Sequence, residues 1–142
     1  MGACWPFLLL QRQKYGMPGR NTRVLLVAPE EEYHEIGIRM GMDFFVLLGY
    51  QVDYIGCNTP WDTMLNAVKT LKPDLVCISV TNYLNLAQLP AIIAAVKANK
   101  PAPRVFIAGS ALARTGKNAL GFGADGALTS FESIREIREV KQ

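Results

Sequence analysis

The feature that most constrains the fold of this chain is a regular alternation of short apolar runs with segments of helical spacing. Each run is continuous and rich in Val, Leu and Ile, which is typical of strands buried on both faces. The predicted strands are Val24–Ala28, Val52–Ile55, Leu75–Val80, Val105–Ala108 and Ala127–Leu128. The predicted helices are His34–Leu48, Pro60–Leu71, Leu86–Asn99, Arg114–Leu120 and Ser130–Val140.

Strands that alternate with helices predict a parallel sheet with helices on both faces, because each connection must cross back over the sheet. Five strands in 142 residues suit an α/β protein with a flavodoxin-like (Rossmann-like), doubly wound sheet in the order 2-1-3-4-5. In the first helix, apolar side chains recur at helical spacing and fall on one stripe. The stripe consists of Ile36, Met40, Phe44 and Leu47.

Charge is distributed unevenly along the chain. The 15 Lys and Arg residues and the 12 Asp and Glu residues give a net charge of +3, but residues 1–23 hold four basic residues and no acid. The remainder is nearly neutral, which argues against direct binding of nucleic acid by the domain. The single histidine, His34, excludes a metal site built from two or more protein imidazoles.

The N-terminal segment is predicted to stand apart from the globular part. Residues 5–10 are apolar, but the run is too short to span a bilayer and no basic segment precedes it, so we expect neither a membrane anchor nor a signal peptide. We assign residues 1–21 to the remnant of a preceding helix with its linker, and residues 22–142 to one domain. Three cysteines without a disulfide pattern favour a cytoplasmic location.

The predicted topology places a binding site before any motif is considered. In such a sheet, ligands bind outside the carboxyl ends of the strands, at the switch point between strands 1 and 3. His34 follows strand 1 there, directly after an acidic stretch that includes Glu30–Glu32. A nearby carboxylate can hydrogen-bond one imidazole nitrogen and leave the other free for a metal. The loops selected are Pro29–His34, Thr81–Asn85 and Gly109–Thr115, with Thr129–Ser130 at the edge.

Several other kinds of site are disfavoured. Neither GxGxxG nor GxxxxGKS follows the first predicted strand, and three carboxylates at that loop would repel a phosphate. A receiver-type phosphoacceptor Asp is missing at the end of strand 3, where Ser79 and Thr81 stand. Cys57 or Ser79 as a nucleophile would need His34 as its base, and no oxyanion motif accompanies them. No catalytic residue is therefore predicted, and a surface or helix-capping role is the alternative for His34.

Three short segments together resemble the signature of cobalamin-binding domains. Glu32–Gly37 (EYHEIG) stands where that family has D-x-H-x-x-G after the first strand. Ser79–Thr81 matches the S-x-T or S-x-L after the third strand, and Gly109–Ser110 stands at the G-G after the fourth. The resemblance extends over about residues 22–140, and it depends on the spacing of all three segments together.

The resemblance implies a cobalamin held base-off, with His34 in place of the cofactor's own dimethylbenzimidazole as the lower ligand of cobalt. Glu32 would then hold the second imidazole nitrogen. The displaced nucleotide tail would enter a slot at the carboxyl edge of the sheet, where Gly37 lets the first helix pass close to it. The cofactor would be adenosyl-, methyl- or hydroxocobalamin.

The same resemblance implies the remaining contacts with the cofactor. Ser79 and Thr81 would offer hydroxyl groups to the tail, while Gly109 and Ser110 would allow a close approach of the backbone. The lower face or the edge of the corrin would be contacted by Tyr33, Ile36 and Tyr83.

Two departures from the family pattern bear on the role of the domain. Glu32 replaces the usual Asp, and Ser110 replaces the second Gly, which narrows the tail slot slightly. The Glu-x-His version resembles the sensor branch, such as light-sensing, adenosylcobalamin-dependent transcriptional repressors, and favours a sensor or regulatory module without catalysis of its own. The alternatives are a corrinoid carrier subunit of a methyltransferase or mutase, a haem-binding relative that uses the same His, and a ligand-free relative.

The resemblance also implies what would complete the protein. In this family a helical bundle usually precedes the domain and covers the upper face of the corrin. Residues 1–15 would be the last helix of such a bundle, and a regulatory module or a methyltransferase would be the partner.

Overall fold

A computed structural model describes residues 21–137. The strands are β1 (Arg23–Val27), β2 (Gln51–Tyr54), β3 (Leu75–Ser79), β4 (Arg104–Ala108) and β5 (Gly126–Leu128). The α-helices are α1 (Glu35–Leu47), α2 (Trp61–Leu71), α3 (Leu89–Lys97), α4 (Ser110–Thr115) and α5 (Phe131–Arg135), and 3-10 helices cover Tyr83–Ala87 and Ala119–Phe122. The expectations for residues 1–20 and for the last residues of the predicted C-terminal helix lie outside the described residues.

The sheet confirms the predicted topology. All neighbouring strands pair in parallel, in the order β2-β1-β3-β4-β5. The switch point lies between β1 and β3, where Val24 is opposite Leu75 and Val27 is opposite Ile78. The carboxyl ends of β1, β3 and β4 therefore meet at one edge of the sheet, as the site prediction requires.

Helices cover both faces of the sheet. On one face, α1 and α5 pack over alternate strand residues that include Leu26 and Cys77, and Phe44 meets Phe131 edge to face with ring centroids 5.1 Å apart. On the other face, α2, α3 and α4 cover residues such as Val76. The loops at the carboxyl edge are thus held by a scaffold that is packed on both sides.

The side chains that α1 turns towards the sheet are not those of the stripe through Ile36 and Met40. Ile36 and Met40 are 78% and 52% exposed, whereas the buried side chains include Ile38, Met42 and Phe45. Two apolar stripes run along this helix at equivalent spacing, and periodicity alone does not choose between them. The stripe through Ile38 packs on the sheet, while Met40 lies against a cavity described below.

Two of the predicted helices begin elsewhere. Residues 83–87 form a 3-10 helix and α3 begins only at Leu89, because Pro90 has no N–H to donate and fits the first turn of a helix. α4 begins at Ser110, directly after β4, rather than near residue 114, and its C-cap is Gly116 with a φ of 65°. Within residues 21–137, no helix is long and apolar enough to cross a membrane.

Candidate functional site

A slot opens at the carboxyl edge of the sheet, on the face covered by α1 and α5. Its volume is about 560 Å³, and residues of α1, of the sheet and of the loops after β1, β3, β4 and β5 line it. The structure thereby brings together loops that are far apart in the sequence. Six of the ten predicted site residues line the slot: His34, Gly37, Ser79, Thr81, Gly109 and Ser110.

His34 stands at the mouth of the slot, directly before α1. It occupies the N-cap position of that helix, but its side chain makes no capping hydrogen bond. The residue is exposed, and no hydrogen bond or ion pair involves its ring nitrogens within residues 21–137. The helix-capping alternative therefore lacks the hydrogen bond it would need, and the imidazole is available to a ligand.

Glu32 has different partners from those expected. The residue is only 1% exposed, and its Oε1 accepts hydrogen bonds from the backbone N–H groups of Thr81 (2.9 Å) and Asn82 (2.7 Å) and from Nδ2 of Asn85 (3.1 Å). Among the described residues it makes no hydrogen bond with His34. The side chain, one methylene longer than Asp, reaches the loop after β3 and ties it to the loop after β1.

Two glycines of α1 face the slot. Gly37 and Gly41 both line it, and a Cβ added at either position would meet no atom within 4 Å. They are four residues apart, so they lie on the same side of the helix, about 6 Å apart along its axis. Gly37 was expected here, whereas Gly41 was missed, although its spacing from Gly37 was a readable signal.

Hydroxyl groups are concentrated at the strand ends. Ser79 is the last residue of β3 and only 7% exposed, and it lines the slot. Within residues 21–137 the hydroxyls of Ser79, Thr81 and Ser110 have no hydrogen-bond partner. A buried hydroxyl is normally paired with another group or with water. The hydroxyl of Ser79 is therefore available to a ligand in the slot.

Gly109 is required by the packing of the turn between β4 and α4. Its φ is 92°, and a Cβ there would lie 2.3 Å from the backbone oxygen of Val80. The same segment is joined to the end of β3 by hydrogen bonds from Val80 N–H to Ala108 O and from Ala111 N–H to Val80 O. The backbone at Gly109 therefore approaches the residue after β3 closely, in addition to any approach to a ligand.

Three predicted contacts stay outside the slot. Tyr33, Ile36 and Tyr83 are exposed, in the loop before α1, in its first turn and at the start of the 3-10 helix after β3. All three belong to segments at the carboxyl edge of the sheet. Large apolar side chains left in water near the mouth of a slot favour a ligand that extends beyond the slot itself.

Two charged side chains of α1, Glu35 and Arg39, are paired with each other. Glu35 accepts hydrogen bonds from Arg39 (2.8 Å) and from the hydroxyl of Tyr54 (3.0 Å), and these two contacts lower the pKa of Glu35. Burial, followed by the hydrogen bond to Glu35, raises the pKa of Tyr54. Inside the slot, burial raises the pKa of the Cys77 thiol to about 12, so this thiol is protonated at neutral pH, and the described lining residues include no Asp, Glu, Lys or Arg.

The residues present fit a cofactor that brings most of its own metal ligands. Within residues 21–137, no group of three or more His, Cys, Asp or Glu side chains could hold a metal ion. The protein instead offers one unpaired imidazole beside an uncharged slot, together with the unpaired hydroxyl of Ser79. A corrin supplies four nitrogens to its cobalt, so that a single protein ligand suffices.

Solved structures with the same fold include corrinoid proteins. The chain resembles a cobalamin-binding protein from Desulfitobacterium hafniense DCB-2, with 21% identity, a TM-score of 0.67, and coverage of 81% of this chain and 56% of that one. It resembles the monomethylamine corrinoid protein of Methanosarcina barkeri at 15% identity and a TM-score of 0.73, over 92% of this chain and 60% of that one.

A third similar structure is the methanol:cobalamin methyltransferase complex of Methanosarcina barkeri, at 15% identity and a TM-score of 0.66, over 87% of this chain and 48% of that one. The chain thus spans only about half to three-fifths of the length of these structures. A comparison with curated proteins finds no match. A family model described as the B12 binding domain matches residues 22–137, which is most of the sequence. The chain therefore belongs to the family of B12-binding domains.

Proposed function

We propose that this domain binds its corrinoid base-off, with the imidazole of His34 as the lower axial ligand of cobalt and the nucleotide tail in the slot. The observation that carries this proposal is an exposed, unpaired imidazole at the mouth of an uncharged slot of about 560 Å³. A tail in the slot would bring the corrin over the mouth, where His34 stands.

The other predicted residues would act in three ways: some would contact the tail, some the corrin, and one would hold a loop in place. The hydroxyls of Ser79, Thr81 and Ser110 would receive the polar part of the tail, because they lack partners within residues 21–137. The corrin would be contacted by Tyr33, Ile36 and Tyr83. Glu32 would act through the backbone, by holding the loop after β3 in place, rather than through the imidazole.

We propose a sensor or regulatory role for the complex. The Glu-x-His sequence at residues 32–34 supports it, since that version of the motif resembles the light-sensing repressors. When bound, the corrinoid supplies a bond between cobalt and an upper ligand that can form and break. The domain would contribute the pocket and His34, and a preceding helical bundle and a regulatory partner would convert the state of that bond into a signal.

A role as the corrinoid carrier of a methyltransferase is the second candidate. It is favoured by the similar structures, which include a monomethylamine corrinoid protein and a methanol:cobalamin methyltransferase complex. In this role a partner protein would supply the substrate chemistry. The site residues and their contacts would be the same in both roles.

Reconstitution with hydroxo-, methyl- and adenosylcobalamin in the dark tests the ligation. The absorption bands of the corrin are expected to shift when wild-type protein is added, and His34→Ala is expected to abolish the shift. Lys69→Ala, on the exposed side of α2 across the sheet, is the matched control and should behave like wild type. Equal spectra for wild type and His34→Ala would contradict the proposed ligand, and a parallel haem titration tests the haem-binding alternative.

Illumination separates the two roles. Loss of the upper ligand from the bound adenosyl form in light, with a change in the size of the complex, is expected for a sensor. Transfer of the methyl group from bound methylcobalamin to an added methyltransferase partner, without a response to light, would instead favour the carrier.

A further inference from the structure

The slot changes in polarity from its mouth to its inner end. Ser79, at the end of β3, is opposite Ala108, whereas Leu26 and Cys77 are paired with each other two residues further down the sheet, about 7 Å deeper. Leu26, Cys77 and Phe45 line this inner part. The described hydroxyls of the lining all belong to strand ends or loops at the mouth.

The backbone of the inner part offers nothing to a ligand. The N–H and C=O groups of Leu26 and Cys77 are paired in the parallel sheet. The N–H of Phe45 is paired within α1, and its C=O accepts a hydrogen bond from Tyr50 N–H at 3.0 Å. The Cys77 thiol is protonated and is a weak donor. A polar atom placed at this depth would therefore lose its water without gaining a hydrogen bond from the protein.

Room for a flat group at this depth comes from Gly41. It lies one helical turn further in than Gly37, and no atom lies within 4 Å of the Cβ it lacks. Phe44 and Phe45 follow on the same helix and also line the slot. Between the helix and the sheet there is consequently a space bordered by aromatic and aliphatic groups, which suits a planar apolar ring.

We propose that the slot selects corrinoids by the base at the end of the tail, accepting an apolar planar base such as dimethylbenzimidazole and disfavouring a purine such as adenine. This inference rests on the proposed function, because it requires the tail to enter the slot. Adenine would bring an amino group and ring nitrogens into the part of the slot that cannot pair them. The two methyl groups of dimethylbenzimidazole would instead gain from leaving water.

Three corrinoids test the selection in the wild-type chain. Dissociation constants are measured by absorption titration for cobalamin, for its analogue with adenine as the base, and for cobinamide, which has no nucleotide tail. Cobalamin is expected to bind about tenfold to a hundredfold more tightly than the adenine analogue, the range typical of apolar pockets. Equal affinity for cobalamin and the adenine analogue would overturn the selection.

Gly41→Leu tests whether the discrimination arises at this depth. The leucine would fill the inner slot and favour the helix, so cobalamin is expected to bind no more tightly than cobinamide while the cobinamide affinity stays within twofold. Gly121→Leu is the matched control, because that glycine also has open space around it but lies outside the slot, and it should behave like wild type. Unchanged cobalamin binding by Gly41→Leu would overturn the inference.

The proposed function and the base selection would be contradicted by different results. If wild type binds neither cobalamin nor cobinamide, the proposed function falls, and the base selection with it. If cobalamin and cobinamide both bind with a His34-dependent spectrum, but neither the base nor the residue at position 41 changes the affinity, only the base selection is wrong.

Discussion

At the scale of single residues, Glu32 joins two of the loops that form the site. Its carboxylate is almost fully buried and accepts three hydrogen bonds from the Thr81–Asn85 loop, two of them from consecutive backbone N–H groups. Its own carbonyl accepts a further bond from Asn58 N–H at 2.9 Å. Since the loop after β3 carries Thr81 and Tyr83, the geometry of the site depends on a residue that does not itself line the slot.

Glu32→Ala is expected to destabilise the domain by about 3 kcal/mol, because three donors would lose their acceptor and each buried unpaired group costs about 1–3 kcal/mol. Glu32→Gln keeps an oxygen acceptor without the charge, and the expected loss is about 1 kcal/mol. Free energies of unfolding from urea titration measure both values.

Glu30→Ala is the matched control for these variants. Glu30 is exposed and its side chain makes no hydrogen bond within residues 21–137, so the change should stay within about 0.5 kcal/mol. Glu32→Asp should lose at least as much stability as Glu32→Gln, because the shorter side chain does not reach the loop after β3. If Glu32→Ala unfolds with the same free energy as wild type, Glu32 does not hold the two loops together.

At the scale of elements, the turn between β4 and α4 fixes one wall of the slot. Gly109 has a φ of 92° and packs directly on the backbone of Val80. Ala108 before it and Ala111 after it both hydrogen-bond to Val80, which joins the turn to the end of β3. The turn and the strand end therefore act as one unit.

Gly109→Ala is expected to lower the free energy of unfolding by about 3 kcal/mol or more. The left-handed backbone costs about 1–3 kcal/mol for a non-glycine residue, and the clash with Val80 adds to it. Gly121→Ala, in open space and without a positive φ, should change stability by less than about 1 kcal/mol. Equal stability of the two variants in thermal or urea unfolding would show that the turn relaxes without strain.

The elements also show which features of the fold and the site could be predicted from the sequence. Strand order and the loops of the site were predictable, because continuous apolar runs report burial and topology then places their carboxyl ends together. The buried face of α1 was not predictable, because the apolar stripe through Ile36 and the one through Ile38 have the same period. The partners of Glu32 were not predictable either, since they depend on where the loop after β3 lies in three dimensions.

At the scale of the whole molecule, the predicted cofactor contacts lie outside the two cores, whereas the inner wall of the slot shares Leu26, Phe45 and Cys77 with one of them. The two apolar cores cover both faces of the sheet, and they consist mainly of strand residues and of helix side chains that face the sheet. The predicted cofactor contacts are instead loop ends, strand ends and the first turns of α1 and α4. We therefore expect the described domain to fold through its own cores, and a bound cofactor to add stability to that fold.

This separation predicts a cooperative thermal transition for the cofactor-free chain. Cobalamin at a hundred times its dissociation constant should then add about 2.7 kcal/mol of stability, which corresponds to an increase in Tm on the order of 10 °C for a domain of this size. His34→Ala should unfold at the same temperature as wild type without cofactor, because its imidazole has no partner in the described structure, yet gain clearly less at the same cobalamin concentration. Calorimetry of the four samples measures these differences. A cofactor-free chain without a cooperative transition would contradict the independent scaffold, whereas equal gains for both proteins would contradict the ligand role of His34.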